Sequence, residues 1–268
     1  SEEFNKDQNL TNKGIEIGEV KLNLSKMMKS KDKAVTVLTK GVEFLLKKNK
    51  VTYLKGTGSF KSKNEISIKD DKNKETLIQA DKIIIATGSQ PVSLPGIEFD
   101  EKVIVSSTGA LKFEKVPKKM IVVGGGYIGL EMGSVWSRLG TEVHVVEFLD
   151  HITPGMDKEI SNEFMQILKK QGIKFHMKHK VEEITKNKSG AIVSTKDENG
   201  NKKDFECDVV LISVGRKPNT SGLNLKKIGI ELDEKQRIKT SKSFQTNLDN
   251  IFAIGDVITG PMLAHKAE

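Results

Sequence analysis

Three glycines stand at the spacing of a dinucleotide-binding turn in the segment VVGGGYIGLE. Gly124, Gly126 and Gly129 form the pattern G-x-G-x-x-G, between an apolar segment and a helix-like segment. In that context the first glycine permits a tight turn, the second lets a pyrophosphate approach the backbone, and the third lets the helix pack closely on a sheet. The helix start then offers free N–H groups and a partial positive charge to the phosphates. The predicted nucleotide-binding residues are Gly124, Gly125, Gly126, Tyr127, Ile128, Gly129, Leu130 and Glu131.

An acidic residue follows at a position suited to an adenosine ribose. Glu147 ends the next apolar segment, 23 residues after Gly124. Its carboxylate can accept hydrogen bonds from the ribose diol, and it would repel a 2′-phosphate. The next residues, FLDHI, contain no arginine that could receive such a phosphate. The sequence therefore predicts NAD rather than NADP as the ligand.

Two further segments end in small-residue turns. IIIATG (83–88) and TNLDNIFAIGD (246–256) each have the pattern of a buried strand followed by a turn. The second ends in Asp256, an acid that can bind a sugar-like hydroxyl. Either segment alone is explained equally well as a core strand with its turn. Their position on both sides of the predicted nucleotide unit makes a second binding site the alternative.

Charge and apolar content exclude several classes of function. The net charge is +8, but only three of the 44 basic residues are arginine and aromatic residues make up 5% of the chain. A lysine-rich solvated surface, rather than nucleic-acid binding, is expected from that pattern. No run of about 18 apolar residues exists that could span a membrane. No secretory leader pattern is visible at the first residues either.

The single cysteine limits redox and metal chemistry. Cys207 cannot form a disulfide within the chain, and a cysteine-based zinc site is excluded. The residue precedes an apolar run, so a structural role beside a strand is expected, with a reactive thiol as the alternative. No metal site is predicted, because His265 has no second ligand in view. A reducing compartment fits this composition: the cytoplasm, or the mitochondrial matrix if the source is a eukaryote.

The pattern of elements predicts an α/β fold. Residues 25–50 are predicted as a helix, with Val35, Leu38, Val42 and Leu45 on one face. Pro91 and Pro95 indicate a connector, and from Lys118 onward strands and helices alternate. Within that region the segment from Asp157 to Gly172 is predicted as an amphipathic helix. Its apolar stripe consists of Ile160, Phe164, Ile167 and Leu168.

Six segments together resemble one enzyme family, the FAD-dependent pyridine nucleotide–disulfide oxidoreductases. They stand in the family's order and cover nearly the whole chain. They are NKGIEIGEVKLNLSKMM, ATGS, IVSSTGAL, GGGYIGLEMGSVWSRLGTEVHVVEF, SVGRKPNT and FAIGDVITGPMLAHKAE. Within the family, the resemblance is to the branch that oxidises dihydrolipoamide with NAD.

The resemblance implies two cofactors, NAD and FAD. For NAD it adds Gly215, close to the nicotinamide, and Val181, beside the adenine, to the glycine turn and Glu147. For FAD it implies that Gly58 lies near the adenine, that Asp256 binds the ribityl chain, and that a helix start faces the flavin. The implied FAD residues are Gly58, Thr87, Gly88, Ser89, Asp256, Met262, Leu263, Ala264 and His265.

Two residues of the helix after the glycine turn have alternative roles. Glu131 is either a surface acid favoured by the helix dipole or a contact for the nicotinamide end. Tyr127 either packs at the helix start or covers the flavin until nicotinamide displaces it, as an aromatic residue does in some relatives.

The resemblance also implies that parts of the family's machinery are absent. The first FAD fingerprint, the redox-active cysteine pair and the dimerisation domain with the catalytic histidine and glutamate have no counterpart in this sequence. We therefore expect an internal fragment with an incomplete FAD site, no catalytic residues and no activity alone. The parent enzyme is expected to be a homodimer that serves the lipoyl-bearing acyltransferase of a 2-oxoacid dehydrogenase complex.

The predicted architecture is two Rossmann-like three-layer nucleotide-binding domains, one inserted in the other. Residues 1–108 and 220–268 form the truncated FAD-binding domain, and residues 109–219 form the NAD-binding domain. Two other functions stay open at this point. The chain is alternatively another NAD(P)H-dependent disulfide reductase, or a non-catalytic NAD-binding module.

Overall fold

The structure is a computed structural model that describes residues 1–2, 18 and 20–267. The first part of the segment NKGIEIGEVKLNLSKMM therefore lies outside the described residues. The helices of the described residues are α1 (Leu24–Lys48), α2 (Ser107–Ala110), α3 (Tyr127–Arg138), α4 (Lys158–Lys170), α5 (Leu225–Ile228) and α6 (Ala264–Ala267), with a 3₁₀ turn at Gly255–Val257.

The strands are short and numerous. They are β1 (Thr57–Phe60), β2 (Glu65–Lys69), β3 (Glu75–Gln79), β4 (Ile83–Ile85), β5 (Ser89–Pro91), β6 (Ile104–Val105), β7 (Lys119–Val123), β8 (Glu142–Val146), β9 (Lys174–His176), β10 (Lys180–Asn187), β11 (Gly190–Lys196), β12 (Lys202–Cys207), β13 (Val209–Ile212), β14 (Arg216–Pro218) and β15 (Ile251–Ala253).

The chain forms two compact units, each made from two segments. The first unit comprises residues 1–35 and 91–215, and the second comprises residues 36–90 and 216–268. The domain bounds predicted from the sequence divide the chain by the nucleotide that each part would bind. That division stays a prediction.

The first unit is built on a parallel five-stranded sheet in the order β6-β13-β7-β8-β9. Its central strands KMIVV, EVHVV and VVLI are almost entirely buried, because helices α3 and α4 cover one face of the sheet and the antiparallel strands β10–β12 cover the other. The chain runs β7-α3-β8-α4-β9 and then returns to β13 on the other side of β7. Strand order thus reverses between β7 and β13, and ligands of such sheets bind beyond the carboxyl ends of the strands at that point. The predicted alternation of strands and helices is confirmed.

Helices α3 and α4 pack on this sheet through different amounts of apolar surface. In α3, Leu130 and Trp136 are buried, and the helix is followed by Gly140 at φ +101°, a left-handed conformation that suits glycine. In α4 only Leu168 of the predicted apolar stripe is buried. Ile160, Phe164 and Ile167 are exposed among the described residues.

An antiparallel sheet in the order β10-β11-β12 completes the first unit. Strand β10 contains a bulge between Val181 and Glu183. Cys207 ends β12, is 8% exposed, and donates its thiol to the Ala191 carbonyl at 3.5 Å. Burial raises the pKa of the Cys207 thiol to about 11. The structural role predicted for this residue is therefore confirmed.

The second unit contains smaller sheets. Strands β1, β2 and β3 form an antiparallel meander, and β14 pairs with β5. Strand β15 pairs in parallel with β4, so that Ile251 lies opposite Ile83 and Ala253 opposite Ile85. The two segments that looked alike in the sequence are thus neighbours in one sheet.

The long helix α1 confirms the helix predicted for residues 25–50. Its apolar residues Val35, Leu38, Val42 and Leu45 are each more than half exposed among the described residues. Lysines interrupt its apolar positions throughout. Neither α1 nor any other described helix has the length and apolar character that a bilayer crossing requires.

Candidate nucleotide-binding site

The glycine turn connects the carboxyl end of β7 to the start of α3. Gly124 has φ +103°, and a Cβ at this position would lie 2.7 Å from the carbonyl oxygen of Ser213, the residue that follows β13. Both the backbone conformation and the contact require glycine here. The turn therefore lies at the reversal of strand order between β7 and β13.

Gly129 lets the helix approach the sheet. A Cβ on Gly129 would lie 2.5 Å from the Gly124 carbonyl oxygen and 2.9 Å from a Val122 methyl, and would also overlap the Ser213 hydroxyl. That hydroxyl donates to the carbonyl oxygens of Val123 and Gly124, at 3.0 and 3.2 Å. Ser213 thus ties the end of β13 to the turn. The role of Ser213 was not predicted, although the residue begins the segment SVGRKPNT.

Gly126 has open space where the others are crowded. No atom lies within 4 Å of the Cβ position of Gly126, which caps α3 in extended conformation without a side-chain hydrogen bond. The first N–H groups of the helix, those of Tyr127 and Ile128, have no partner within the helix. An open approach, free amides and the positive end of a helix dipole fit a diphosphate.

Glu147 lies at the same turn, as its predicted role requires. The residue is 8% exposed and follows the carboxyl end of β8. Its Oε2 accepts a hydrogen bond from the Gly125 amide at 2.6 Å, and its Oε1 accepts one from the Leu149 amide at 2.8 Å. Each carboxylate oxygen keeps a lone pair for another donor. The carboxylate therefore has acceptor capacity left while it holds the turn, and its contact with a ribose diol stays a prediction.

The backbone of Glu147 is hydrogen-bonded to the end of β9 and to the residues that follow it. Its N–H donates to the His176 carbonyl, and its own carbonyl accepts from the His179 N–H, both at 2.9 Å. Phe148 and Leu149, the residues that follow Glu147, help to line a cavity of about 450 Å³. The cavity is lined by Phe148, Leu149, Asp150, Lys178, Lys180, Lys196, Asp197 and Glu198.

Gly215 and Val181 occupy different parts of the first unit. Gly215 is exposed just beyond β13 at φ +133°, and its carbonyl accepts from the Val92 amide at 3.0 Å. Val181 is half-buried at the bulge of β10 and packs against an apolar cluster of the first unit. Their predicted nucleotide contacts stay predictions.

The two alternative residues of α3 both face away from the core. Tyr127 is 44% exposed and Glu131 is exposed. Those positions leave both pairs of alternatives open.

Two histidines, His144 buried and His176 half-buried, lie on the neighbouring strands β8 and β9. His144 Nε2 lies 3.0 Å from the Glu142 carboxylate, and His144 Nδ1 lies 2.9 Å from His176 Nε2. With Nε2–H donating to Glu142, the Nδ1 atom of a neutral His144 can accept from His176 Nε2–H. Burial lowers the pKa of His144, while burial and then Lys203 lower that of His176 to about 4. Across the described residues, no three His, Cys, Asp or Glu side chains are grouped so as to hold a metal ion.

The second unit joins two of the predicted FAD residues. Ser89 donates its hydroxyl to Asp256 Oδ2 at 2.5 Å. Arg216 holds Ser89 twice, with Nε to the hydroxyl oxygen at 2.6 Å and Nη2 to the carbonyl oxygen at 2.7 Å. The role of Arg216 was not predicted, although the residue lies in the segment SVGRKPNT.

The other predicted FAD residues lie on short elements of the second unit. Thr87 donates its hydroxyl to the Asn219 carbonyl at 2.8 Å, and Gly88 takes φ +70° at the turn after β4. Gly58 is half-buried in β1. Met262 and Leu263 precede α6, which begins at Ala264 and includes His265. The role of each of these residues in FAD binding stays a prediction.

Comparison with known proteins gives a consistent result. The family model described as pyridine nucleotide-disulphide oxidoreductase matches residues 4–268. A mitochondrial dihydrolipoyl dehydrogenase of Pisum sativum is 53% identical over 96% of this chain and 52% of its own length. The mitochondrial dihydrolipoyl dehydrogenase of Canis lupus familiaris is 49% identical over 97% of this chain and 52% of its own length.

A solved structure agrees at the level of the fold. LpdA from Mycobacterium tuberculosis matches 99% of this chain and 57% of its own chain with a TM-score of 0.86, at 23% identity. The chain spans about half the length of the curated relatives that it matches. Because the family model covers nearly every residue, this chain belongs to the pyridine nucleotide-disulphide oxidoreductase family.

Proposed function

We propose that the first unit binds NAD(H) at the turn between β7 and α3. The observation that carries this proposal is the position of the Glu147 carboxylate, 2.6 Å from the Gly125 amide at the head of α3. A phosphate-binding helix start and a ribose-binding acid are then parts of a single site. The open Gly126 position supports the approach of the diphosphate.

The same carboxylate favours NAD over NADP. Both oxygens of Glu147 already accept backbone amides, so the charge is held in place beside the turn. A 2′-phosphate would have to approach this fixed negative charge. We expect the chain to bind NADH at least tenfold more tightly than NADPH, since like charges at contact distance disfavour the complex.

For the whole protein we propose dihydrolipoamide dehydrogenase activity, with FAD as second cofactor. Support comes from two relatives named dihydrolipoyl dehydrogenase, whose sequences are 53% and 49% identical to this chain. In such an enzyme electrons pass from dihydrolipoamide through a disulfide and FAD to NAD⁺. The partner would be the lipoyl-bearing acyltransferase of a 2-oxoacid dehydrogenase complex, in the cytoplasm or the mitochondrial matrix, and the whole protein would be a homodimer.

In the second unit, Asp256 and Ser89 are the residues that we propose for the flavin side. Their hydrogen bond and the two bonds from Arg216 hold a carboxylate in a defined place within the 3₁₀ turn. A fixed carboxylate suits the hydroxyl groups of a ribityl chain. The chain has one cysteine, so it has no internal dithiol to accept electrons from dihydrolipoamide.

Calorimetry with NADH tests the proposal on this chain directly. We expect saturable binding by the wild-type chain, and weaker binding by Glu147→Gln, which keeps the size but removes the charge. Glu159→Gln, a surface acid in the first turn of α4, is the matched control and should leave NADH binding unchanged. Absence of binding heat at millimolar NADH would remove the proposed function.

An activity assay tests the second part. The isolated chain with added FAD should produce no NADH from dihydrolipoamide and NAD⁺, because one cysteine cannot form an internal disulfide. A measurable FAD-dependent rate would contradict that expectation. A full-length protein containing this chain should show the activity.

A further inference from the structure

We propose that Thr153 is a positioning residue for the nucleotide site. Together with Glu147 it binds both backbone groups of Gly125, the N–H and the carbonyl. These two contacts fix the turn that presents the phosphate-binding amides. The proposal rests on the proposed NAD(H) site and adds a residue to it that neither the glycine pattern nor the family resemblance indicated.

Both backbone groups of Gly125 are bound from the loop that follows β8. The Gly125 N–H donates to Glu147 Oε2 at 2.6 Å, and the Gly125 carbonyl accepts from the Thr153 N–H at 2.8 Å. We call these two hydrogen bonds the Gly125 clamp. The clamp uses none of the amides at the head of α3, so these remain available to a ligand.

Thr153 has an unusual backbone for its residue type. Its φ is +48°, in the left-handed region, which β-branched residues adopt only where their surroundings hold them. The residue is 3% exposed, and its hydroxyl is hydrogen-bonded to the Ser161 hydroxyl at 2.8 Å. Ser161 lies in α4 and is 1% exposed. This hydrogen bond between the two hydroxyls holds the strained Thr153 against α4.

The packing around Gly125 leaves little room for another position of the loop. A Cβ on Gly125 would lie 3.2 Å from Glu147 Oε2 and 3.2 Å from a methyl of Ile152. Ile152 is fully buried and precedes Thr153. The loop therefore meets the turn by contact on two sides as well as by hydrogen bonds.

The strained backbone of Thr153 is therefore expected to contribute to nucleotide affinity. A site whose amides are already fixed loses less conformational freedom when the diphosphate binds, and so binds it more tightly. Loss of the hydrogen bond between the Thr153 and Ser161 hydroxyls should let the loop move. The hydrogen bond from the Thr153 N–H to the Gly125 carbonyl should then be weakened. The loss should then show in nucleotide affinity as well as in stability.

The decisive variant is Thr153→Val, which keeps the shape and the β-branching but removes the hydroxyl. The matched control is Thr195→Val, because Thr195 is 1% exposed and its hydroxyl donates to the Lys203 carbonyl at 2.9 Å, away from the turn. Both should lower the urea midpoint of the first unit. Only Thr153→Val should weaken NADH binding, by about fivefold or more, as expected when a buried hydrogen bond is lost from the coupled site.

A conservative variant keeps the test informative if Thr153→Val folds poorly. Asparagine tolerates the left-handed region and offers a polar group to Ser161, so Thr153→Asn should keep NADH affinity within about twofold. If Thr153→Val and Thr195→Val change NADH affinity equally, or not at all, Thr153 is a stability residue only and the proposal is overturned.

Amide hydrogen exchange in the nucleotide-free chain separates the clamp from the proposed function. We expect the Gly125 amide to be protected in the wild type, and to exchange at least tenfold faster in Thr153→Val but not in Thr195→Val. If the wild type shows no NADH heat while Gly125 stays protected, the nucleotide site is wrong and the clamp is only structural. If Gly125 exchanges freely in the wild type, the clamp itself is wrong.

Discussion

Replacement of Gly129 by alanine tests whether the helix must approach the sheet as closely as the structure shows. The added Cβ would lie 2.5 Å from the Gly124 carbonyl oxygen and 2.9 Å from a Val122 methyl. Real Cβ atoms do not occupy such positions, so α3 must move or the Ser213 hydroxyl must be displaced. Either movement disturbs the turn that α3 shares with the predicted diphosphate.

The size of the effect follows from three contributions. Overpacking of a buried contact costs about 1–3 kcal/mol. Displacement of the Ser213 hydroxyl loses the one hydrogen bond that it shares between the Val123 and Gly124 carbonyls, about 1 kcal/mol. The gain in helix propensity from glycine to alanine returns about 1 kcal/mol. We therefore expect Gly129→Ala to lower the free energy of unfolding of the first unit by about 1–3 kcal/mol.

Gly133→Ala is the matched control on the same helix. Its Cβ would lie 3.3 Å from a Val143 methyl, a much milder contact, and the gain in helix propensity is the same. We expect its unfolding free energy to lie within about 1 kcal/mol of the wild-type value. A pair of variants that differ only in this contact isolates the effect of the close approach.

Trp136 provides the assay, because it is the only tryptophan in the chain and is 3% exposed in the first unit. Urea unfolding followed by its fluorescence reports the unit that holds the glycine turn. NADH titration of the same variants should show binding weakened by tenfold or more in Gly129→Ala and unchanged in Gly133→Ala. Equal stability of the two variants would refute the claim that α3 is packed at its closest approach here.

The remaining predictions concern charge and thiol chemistry. The pKa of His176 is lowered to about 4 from 6.5, so the unfolded chain binds that proton more tightly, and stability should fall as the pH is lowered from about 6.5 towards 4. His176→Gln should flatten this dependence in urea unfolding measured at several pH values. Arg216→Lys loses the two-pronged contact with Ser89 and should cost about 1–2 kcal/mol in urea unfolding, whereas exposed Lys217→Ala should cost under about 0.5. Because its pKa is about 11, the thiol of Cys207 should react with a thiol reagent at pH 8 only when the chain unfolds, as a comparison of labelling rates with and without urea would show.

Local pattern was sufficient to predict the glycine turn between β7 and α3. The G-x-G-x-x-G spacing and the acid at Glu147 were readable because both depend on backbone geometry next to a strand end. The alternation of strands and helices after Lys118 followed from apolar runs and from glycines at Gly140 and Gly172. The position of Cys207 before an apolar run likewise predicted a structural role for it.

Other features depended on contacts between residues far apart in the chain. The amphipathic pattern of α4 did not predict that Ile160 and Ile167 would be exposed, because periodicity gives a common face but not its neighbour. The link from Arg216 through Ser89 to Asp256 crosses more than a hundred residues of sequence. No spacing rule connects such positions.

The sequence by itself determined which residues could make a phosphate-binding turn and that an acid would follow one strand later. Tertiary structure alone decided that the Glu147 carboxylate reaches the Gly125 N–H. It also decided that the N–H of Thr153, a residue with a strained backbone, reaches the Gly125 carbonyl. The physical reason is that glycine patterns record local backbone needs. Which side chain or amide meets that backbone is fixed only when the parallel strands align their carboxyl ends.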